Sequence, residues 1–235
     1  MNKLIVVTGG SKGIGRAIIE KFITQDFDVV TCARQLPALE KLQSELASTN
    51  SKAKVFIHQA DLSILDEVHT FCEFVRSLKR PVDVLVNNAG YFIPGQIVDE
   101  AEDTLQRMIQ ANLYSAYHTT KGLIGLMKNG KGRYVFNMCS IASFMAYPNG
   151  GSYAISKFAL LGFSKCLREE LKPEGIRVSA VMPGATRTES WAGTSLPDSR
   201  FVSPEDVAET IYSAFALSER SVVEEIVIRP QLGDL

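Results

Sequence analysis

Short β-branched runs alternate along the whole chain with longer stretches of helical periodicity, and this rhythm constrains the fold more than any other feature. KLIVV at 3–7 is followed by a helical pattern at 14–25, FDVVTC at 27–32 by one at 37–48, and KVFIHQ at 54–59 by one at 63–78; VDVLVN then occupies 82–87. A strand that feeds a helix and then another strand builds a parallel sheet covered on both faces. The rhythm continues with one long helical region over 99–128, RYVFNMC at 133–139, a helix over 152–172, IRVSAVM at 176–182, a helix over 204–217 and VVEEIVI at 222–228. The expectation is an α/β fold: a doubly wound, parallel, seven-stranded sheet in three layers, forming one domain over 1–235.

Two helix starts carry capping signals. Ser63 has Asp66 three residues on, and Ser203-Pro204-Glu205-Asp206 combines a capping serine, a first-turn proline and acids that suit the helix dipole. No repeat or linker interrupts the chain. The one long stretch without periodicity is 184–202, GATRTESWAGTSLPDSRFV, and a loop of that length in a compact domain reads as a substrate lid.

Composition sets limits on partners. Hydrophobic residues make up 46% of the chain, enough for a sizeable core, and 25 Lys plus Arg balance 26 Asp plus Glu. Such a balance gives no broad basic surface for nucleic acid or an anionic membrane, so any phosphate site must be local. The four cysteines, Cys32, Cys72, Cys139 and Cys166, have no metal-ligand spacing and are each expected to be small apolar core residues; no metal is expected. The N-terminal apolar run is too short for a signal peptide, and no stretch approaches the roughly 20 apolar residues of a membrane span. A cytoplasmic setting is the expectation.

Directly after the first strand comes TGGSKGIG at 8–15, followed by the helical RAIIEKF. Glycines at a strand-to-helix turn let a dinucleotide pyrophosphate approach the backbone, while the helix N-terminus offers unpaired N–H groups and a positive dipole end. Gly9, Ser11, Lys12, Gly13, Ile14 and Gly15 are therefore candidate cofactor contacts in a Rossmann-type fold. An acid about 20 residues past such a turn would hydrogen-bond a ribose 2′-hydroxyl. Here VVTCARQ carries Arg34 and no carboxylate before Glu40, and Lys12 adds a cation within the turn. Two cations and no acid suit a 2′-phosphate, which makes NADP(H) the expected cofactor.

Ser140 ends a strand, and the next helix opens with Tyr153 and has Lys157 four residues later, on the same helix face. Hydride arriving at a carbonyl carbon leaves an oxyanion that needs a proton donor. Tyrosine can serve, and a nearby ammonium would help it return as a base, with an apparent pKa below the free value near 10.

The spacing T-G-x-x-x-G-x-G, with NNAG at 87–90, Asn112, Ser140, Tyr153-x-x-x-Lys157 and Pro183-Gly184 in that order, resembles the short-chain dehydrogenase/reductase family over essentially the whole chain. The resemblance implies that Asn88, Ala89 and Gly90 line the adenosine side and that Asp61, with Leu62 beside it, meets the adenine ring. It implies catalytic roles for Asn112, Ser140, Tyr153 and Lys157: Tyr153 as acid in reduction and base in oxidation, Lys157 on the phenolate and the nicotinamide ribose, Ser140 on the substrate oxygen, and a distorted helix turn at Asn112 holding a relay water. Pro183, Gly184, Thr186 and Thr188 match the nicotinamide segment. A homodimer or homotetramer through the helices near 104–127 and 152–172 is implied as well.

These expectations describe an NADP(H)-dependent oxidoreductase that reduces a small carbonyl compound to an alcohol. Phe92, Ile93, Phe144, Tyr147 and Trp191 are candidate pocket residues. The C-terminus lacks the glycine-rich ending of 3-oxoacyl-carrier-protein reductases, and with Trp191 and the short lid it is more similar to bacterial sepiapterin reductases. A non-catalytic cofactor-sensing scaffold on the same fold is the alternative from another class. A sugar-nucleotide epimerase or dehydratase would need a larger C-terminal region than 184–235.

Overall fold

Successive residues of the first strand, β1 (Leu4–Thr8), go to opposite sides of the sheet: Ile5 and Val7 join one buried cluster, Leu4 and Val6 another. A strand buried on both faces must be covered by helices on both, and it is. The computed structural model describes residues 2–49, 52–128, 130 and 132–235. The remaining strands are β2 (Asp28–Ala33), β3 (Val55–Gln59), β4 (Val84–Asn87), β5 (Tyr134–Met138), β6 (Arg177–Pro183) and β7 (Glu225–Ile228). The helices are α1 (Gly13–Ile23), α2 (Leu36–Thr49), α3 (Leu65–Ser77), α4 (Thr104–Ile109), α5 (Ser115–Leu123), α6 (Gly151–Leu171) and α7 (Pro204–Ala216).

The strands form one parallel sheet in the order β3-β2-β1-β4-β5-β6-β7, the expected doubly wound Rossmann-type arrangement. On one face, Phe22 of α1 meets Phe27 at 5.0 Å, and Tyr212 and Phe215 of α7 at 5.4 and 5.9 Å. Truncating a ring so enclosed costs about 3–5 kcal/mol. On the other face Phe71 and Val75 of α3, Leu123 of α5 and Leu167 and Leu171 of α6 close the second core. Because every strand runs the same way, all carboxyl ends share one edge. Winding reverses between β1 and β4, which opens a crevice at that edge.

The chain departs from the sequence reading in five places. The helix expected over 99–128 is broken into α4, a π-helical turn at Gln110–Tyr114, α5 and a 3-10 turn at Ile124–Leu126. Within the π turn Asn112 reaches out to the backbone of Tyr91, a tertiary contact that periodicity does not register. Strand β7 starts at Glu225 rather than 222, because the Val223 backbone is bound by the Tyr134 and Ser179 hydroxyls instead of a neighbouring strand.

Ser63 does not cap α3: Ile64 precedes the helix, and the Ser63 hydroxyl donates to Asp61 at 2.7 Å. The cap at Ser203 forms, its hydroxyl oxygen accepting from the Asp206 N–H at 3.0 Å. Cys32, Cys72 and Cys139 are buried as expected, whereas Cys166 lies on the exposed side of α6. The 184–202 stretch is not featureless. A bridge between Thr186 and Val202 pins its base, and 3-10 turns form at Glu189–Trp191 and Asp198–Arg200. Among the described residues no helix is long and apolar enough to cross a membrane.

Candidate active site

The glycine turn lies between β1 and α1, at the crevice. Gly9 has φ +68°, a left-handed conformation, and a Cβ on Gly15 would sit 2.5 Å from the Gly9 carbonyl oxygen and from Asn88 Nδ2. Neither position accommodates a side chain without displacing the turn. Asn88 holds the turn from the β4 side, its amide donating to the carbonyls of Thr8 at 2.9 Å and Gly9 at 3.0 Å. The Thr8 hydroxyl accepts from the N–H groups of Asn88 and Ala89, both at 2.9 Å, so the two motifs are stitched together. Lys12 stands at the N-cap of α1 with no side-chain cap, and the first turn carries no acid. An uncapped N-terminus in a glycine cradle fits a pyrophosphate.

At the outer side of the crevice Arg34 and Asp61 line one cleft of about 540 Å³ together with His58, Gln59, Ile64, Glu67 and Thr70. Asp61 is part of a local turn, accepting from the Ser63 N–H at 3.0 Å and donating its own N–H to Glu67 at 2.6 Å. Leu62 buries its side chain in the core and has only its backbone to offer. Arg34 is exposed, and among the described residues its guanidinium has no ion-pair partner. Lys12 is not on this cleft; its ammonium pairs with Glu189.

A polar ladder runs across the buried sheet behind the crevice. Asn87 donates to Thr120 at 2.9 Å and to Asn137 at 2.8 Å, and Asn137 donates to Ser164 at 2.9 Å. It ties β4 and β5 to α5 and α6. The ladder fixes the floor on which Ser140 and Lys157 stand.

Ser140 follows β5 with an extended backbone and opens a short 3-10 turn, Ile141–Ser143. Its hydroxyl oxygen accepts from the Ala142 N–H at 3.1 Å, which leaves the hydroxyl proton free to donate elsewhere. Hydrogen bonding from that hydroxyl favours the ionised Tyr153 phenol, yet burial outweighs it and raises the Tyr153 pKa to about 12. The sequence expectation of a value below 10 therefore does not hold for the protein alone.

Lys157 does not offset this burial. Its ammonium donates to the Met138 carbonyl at 2.7 Å and sits 5.7 Å from the Tyr153 ring centre, while burial lowers its pKa to about 8. Desolvation governs both groups.

The Tyr153 ring is held edge-on by Phe92, 4.8 Å away. Phe92 belongs to a strap fixed at both ends. Asn112 binds the Tyr91 peptide through both amide atoms, accepting at 2.9 Å and donating at 3.1 Å, and also donates to Ser156 of α6 at 2.9 Å. At the far end Glu100 accepts from the Ser152 N–H at 2.9 Å and from the Ser152 hydroxyl. Sequence reading missed Glu100, which it placed inside the helix expected over 99–128. Gly90 leads into the strap, where a Cβ would lie 2.6 Å from the Asn112 oxygen.

Ile93 and Tyr147 are half-buried near this strap and Phe144 is exposed. Burial pushes the Tyr147 phenol up as well. Pro183 ends β6, and the Gly184 N–H donates to the Ile228 carbonyl at 2.7 Å. Thr186 is buried and its hydroxyl donates to the Gly184 carbonyl at 3.0 Å. Thr188 instead faces the glycine turn, its methyl 3.3 Å from where a Gly13 Cβ would stand. Ser11 and Ile14 complete the turn, both half-buried. Trp191 packs against Phe201 at 5.2 Å rather than over Tyr153. A separate hollow of about 460 Å³ between α1, α7 and residues 187–192 lies behind the glycine turn, away from the Ser140 hydroxyl.

Residues 3–197 match the family model described as short chain dehydrogenase. The chain is 29% identical to the sepiapterin reductase of Chlorobaculum tepidum over 243 residues, covering 100% of this chain and 99% of that protein. It superposes on an alcohol dehydrogenase from the archaeon Thermococcus sibiricus, complexed with 5-hydroxy-NADP, with a TM-score of 0.92 at 27% identity, covering 100% and 99% of the two chains. For L-sorbose reductase from Gluconobacter frateurii, complexed with NADPH and L-sorbose, the TM-score is 0.88 at 27% identity, covering 97% and 95%. A match of this extent, on a doubly wound sheet with its glycine turn at the β1 to α1 junction, means that the chain belongs to the short-chain dehydrogenase family.

Proposed function

We propose that the chain is an NADP(H)-dependent reductase that converts a small carbonyl compound to an alcohol, reversibly. The observation that carries this reading is the convergence of the Ser140 hydroxyl, the Tyr153 phenol and the Lys157 ammonium at the carboxyl end of β5. The NADP(H) choice is supported by Arg34, exposed on the cleft it shares with Asp61, and by solved relatives complexed with 5-hydroxy-NADP and NADPH.

When bound, the nicotinamide supplies or takes the hydride. Ser140 turns its hydroxyl from Tyr153 to hydrogen-bond the substrate oxygen and polarises the carbonyl. Tyr153, protonated at neutral pH with its pKa near 12, gives its proton to the oxygen as negative charge develops there. Lys157 stands near the phenolate left behind and within reach of a ribose. The π turn at Asn112 widens the helix next to Lys157's own helix, in keeping with a water relay; such turns recur at functional sites. Arg34, Asp61, Asn88 and the glycine turn hold the adenosine end.

The 184–202 segment serves as lid over the single 1–235 domain. Four free thiols fit a reducing, cytoplasmic setting. The reading is tested by following loss of NADPH absorbance across ketones, diketones, 3-oxoacyl thioesters and pterins. Turnover of at least one class is expected; NADPH binding with no turnover of any class would favour the scaffold reading. Full-length similarity to a sepiapterin reductase makes pterins the first class to try.

A further inference from the structure

Of the two cations read from the sequence as phosphate ligands, Lys12 is engaged in an ion pair, whereas Arg34 has none among the described residues. Lys12 lies within the glycine turn, in extended conformation at the N-cap of α1, and its ammonium is paired with Glu189, which opens the first 3-10 turn of the 184–202 segment. The contact is more than one pair of side-chain tips, because Thr188, the preceding residue, lies against Gly13. The segment therefore rests on the glycine turn, with Glu189 on the one cation that the turn presents. Both side chains are largely in water, 64% and 69% exposed, so the pair is weak and exchangeable.

We propose that Glu189 is a specificity-determining residue that competes with the cofactor's 2′-phosphate for Lys12. A phosphate monoester carries about −1.5 to −2 charges against one for a carboxylate, so it wins the ammonium. The displaced carboxylate is then left beside a like charge unless residues 188–189 swing away. A 2′-hydroxyl makes no such demand. Glu189 thus weakens binding of 2′-phosphorylated dinucleotides alone, and it couples their binding to release of the segment from the glycine turn. The inference rests on the NADP(H) reading above and names a residue that tunes it.

The test is equilibrium binding of NADPH, NADH and adenosine 2′,5′-bisphosphate to the full chain and to Glu189→Gln, Lys12→Met and the double variant, each checked for folding by thermal melt. Glu189→Gln is expected to tighten NADPH and the bisphosphate by about two- to fivefold, the range for an exposed pair, and to leave NADH unchanged. In the Lys12→Met background the same change should have a smaller effect, since the competition for the lysine is gone and only like-charge repulsion is left. An unchanged NADPH affinity, equal tightening of NADPH and NADH, or an undiminished effect without Lys12 would overturn the proposal. Failure of the cofactor reading is distinct: it would appear as equal affinity of the unmodified chain for NADPH and NADH.

Discussion

Glu100 binds the N–H of Ser152 at 2.9 Å, one residue ahead of Tyr153, and so caps the helix that carries the proposed acid. Its carboxylate also fills the space that side chains at Gly95 and Gly151 would occupy. Glu100→Ala should cost about 0.5–2 kcal/mol, as losing a helix cap does, and lower turnover more than NADPH affinity. Glu100→Gln retains a capping oxygen and should restore most of both. Thermal melts and steady-state kinetics on the two variants check this; equal damage in both would mean that charge, not position, matters.

The buried ammonium of Lys157 sets a pH dependence of stability. Its pKa falls from 10.5 to about 8 on folding, so between those values the unfolded chain holds a proton that the native chain has lost. Stability from this group therefore rises with pH across that window and is lost as pH falls through about 8. In cofactor-free protein the difference in Tm between the unmodified chain and Lys157→Met should shift in favour of the former from neutral pH to pH near 10. A difference independent of pH would remove the assigned burial effect.

Most of this architecture was legible because it rests on local pattern. The β-branched runs at 3–7 and 82–87 became β1 and β4, and the position of Gly9, Gly13 and Gly15 after β1 marked the turn. What the pattern missed depends on contacts between distant residues. Asn112 bonds to Tyr91, 21 positions away, within the π turn that breaks the expected long helix, and Glu100 caps a helix 52 positions on. The raised Tyr153 pKa of the cofactor-free chain was hidden for a related reason, since burial cannot be read from an i, i+4 spacing.

Cofactor preference should turn on Arg34. Replacing it by aspartate removes a charged hydrogen-bond donor from the cleft shared with Asp61 and supplies an acceptor for a 2′-hydroxyl. NADPH affinity should fall by about 10- to 150-fold, with preference moving toward NADH. Titration of both dinucleotides measures it; an unaltered NADPH affinity would exclude Arg34 from the phosphate site.

Self-association is expected through the face of the π turn and α5 together with that of α6. Tyr114 and Tyr117 on one side and Ile155 and Phe158 on the other are 39–50% exposed, a run of apolar surface that a second copy would cover. Phe158→Glu should shift the mass measured by light scattering from dimer or tetramer toward monomer. A monomeric unmodified chain would contradict the proposed assembly.

The most direct test of the central assignment is turnover by Tyr153→Phe on the best substrate of the carbonyl panel, with NADPH affinity measured alongside. Phenylalanine keeps the ring that Phe92 holds edge-on, so folding and NADPH binding should survive. Turnover should fall by about 10²–10⁴, the usual contribution of a positioned acid. A Tyr153→Phe chain that binds NADPH and reduces the substrate at a near-normal rate would show that the proton comes from another group.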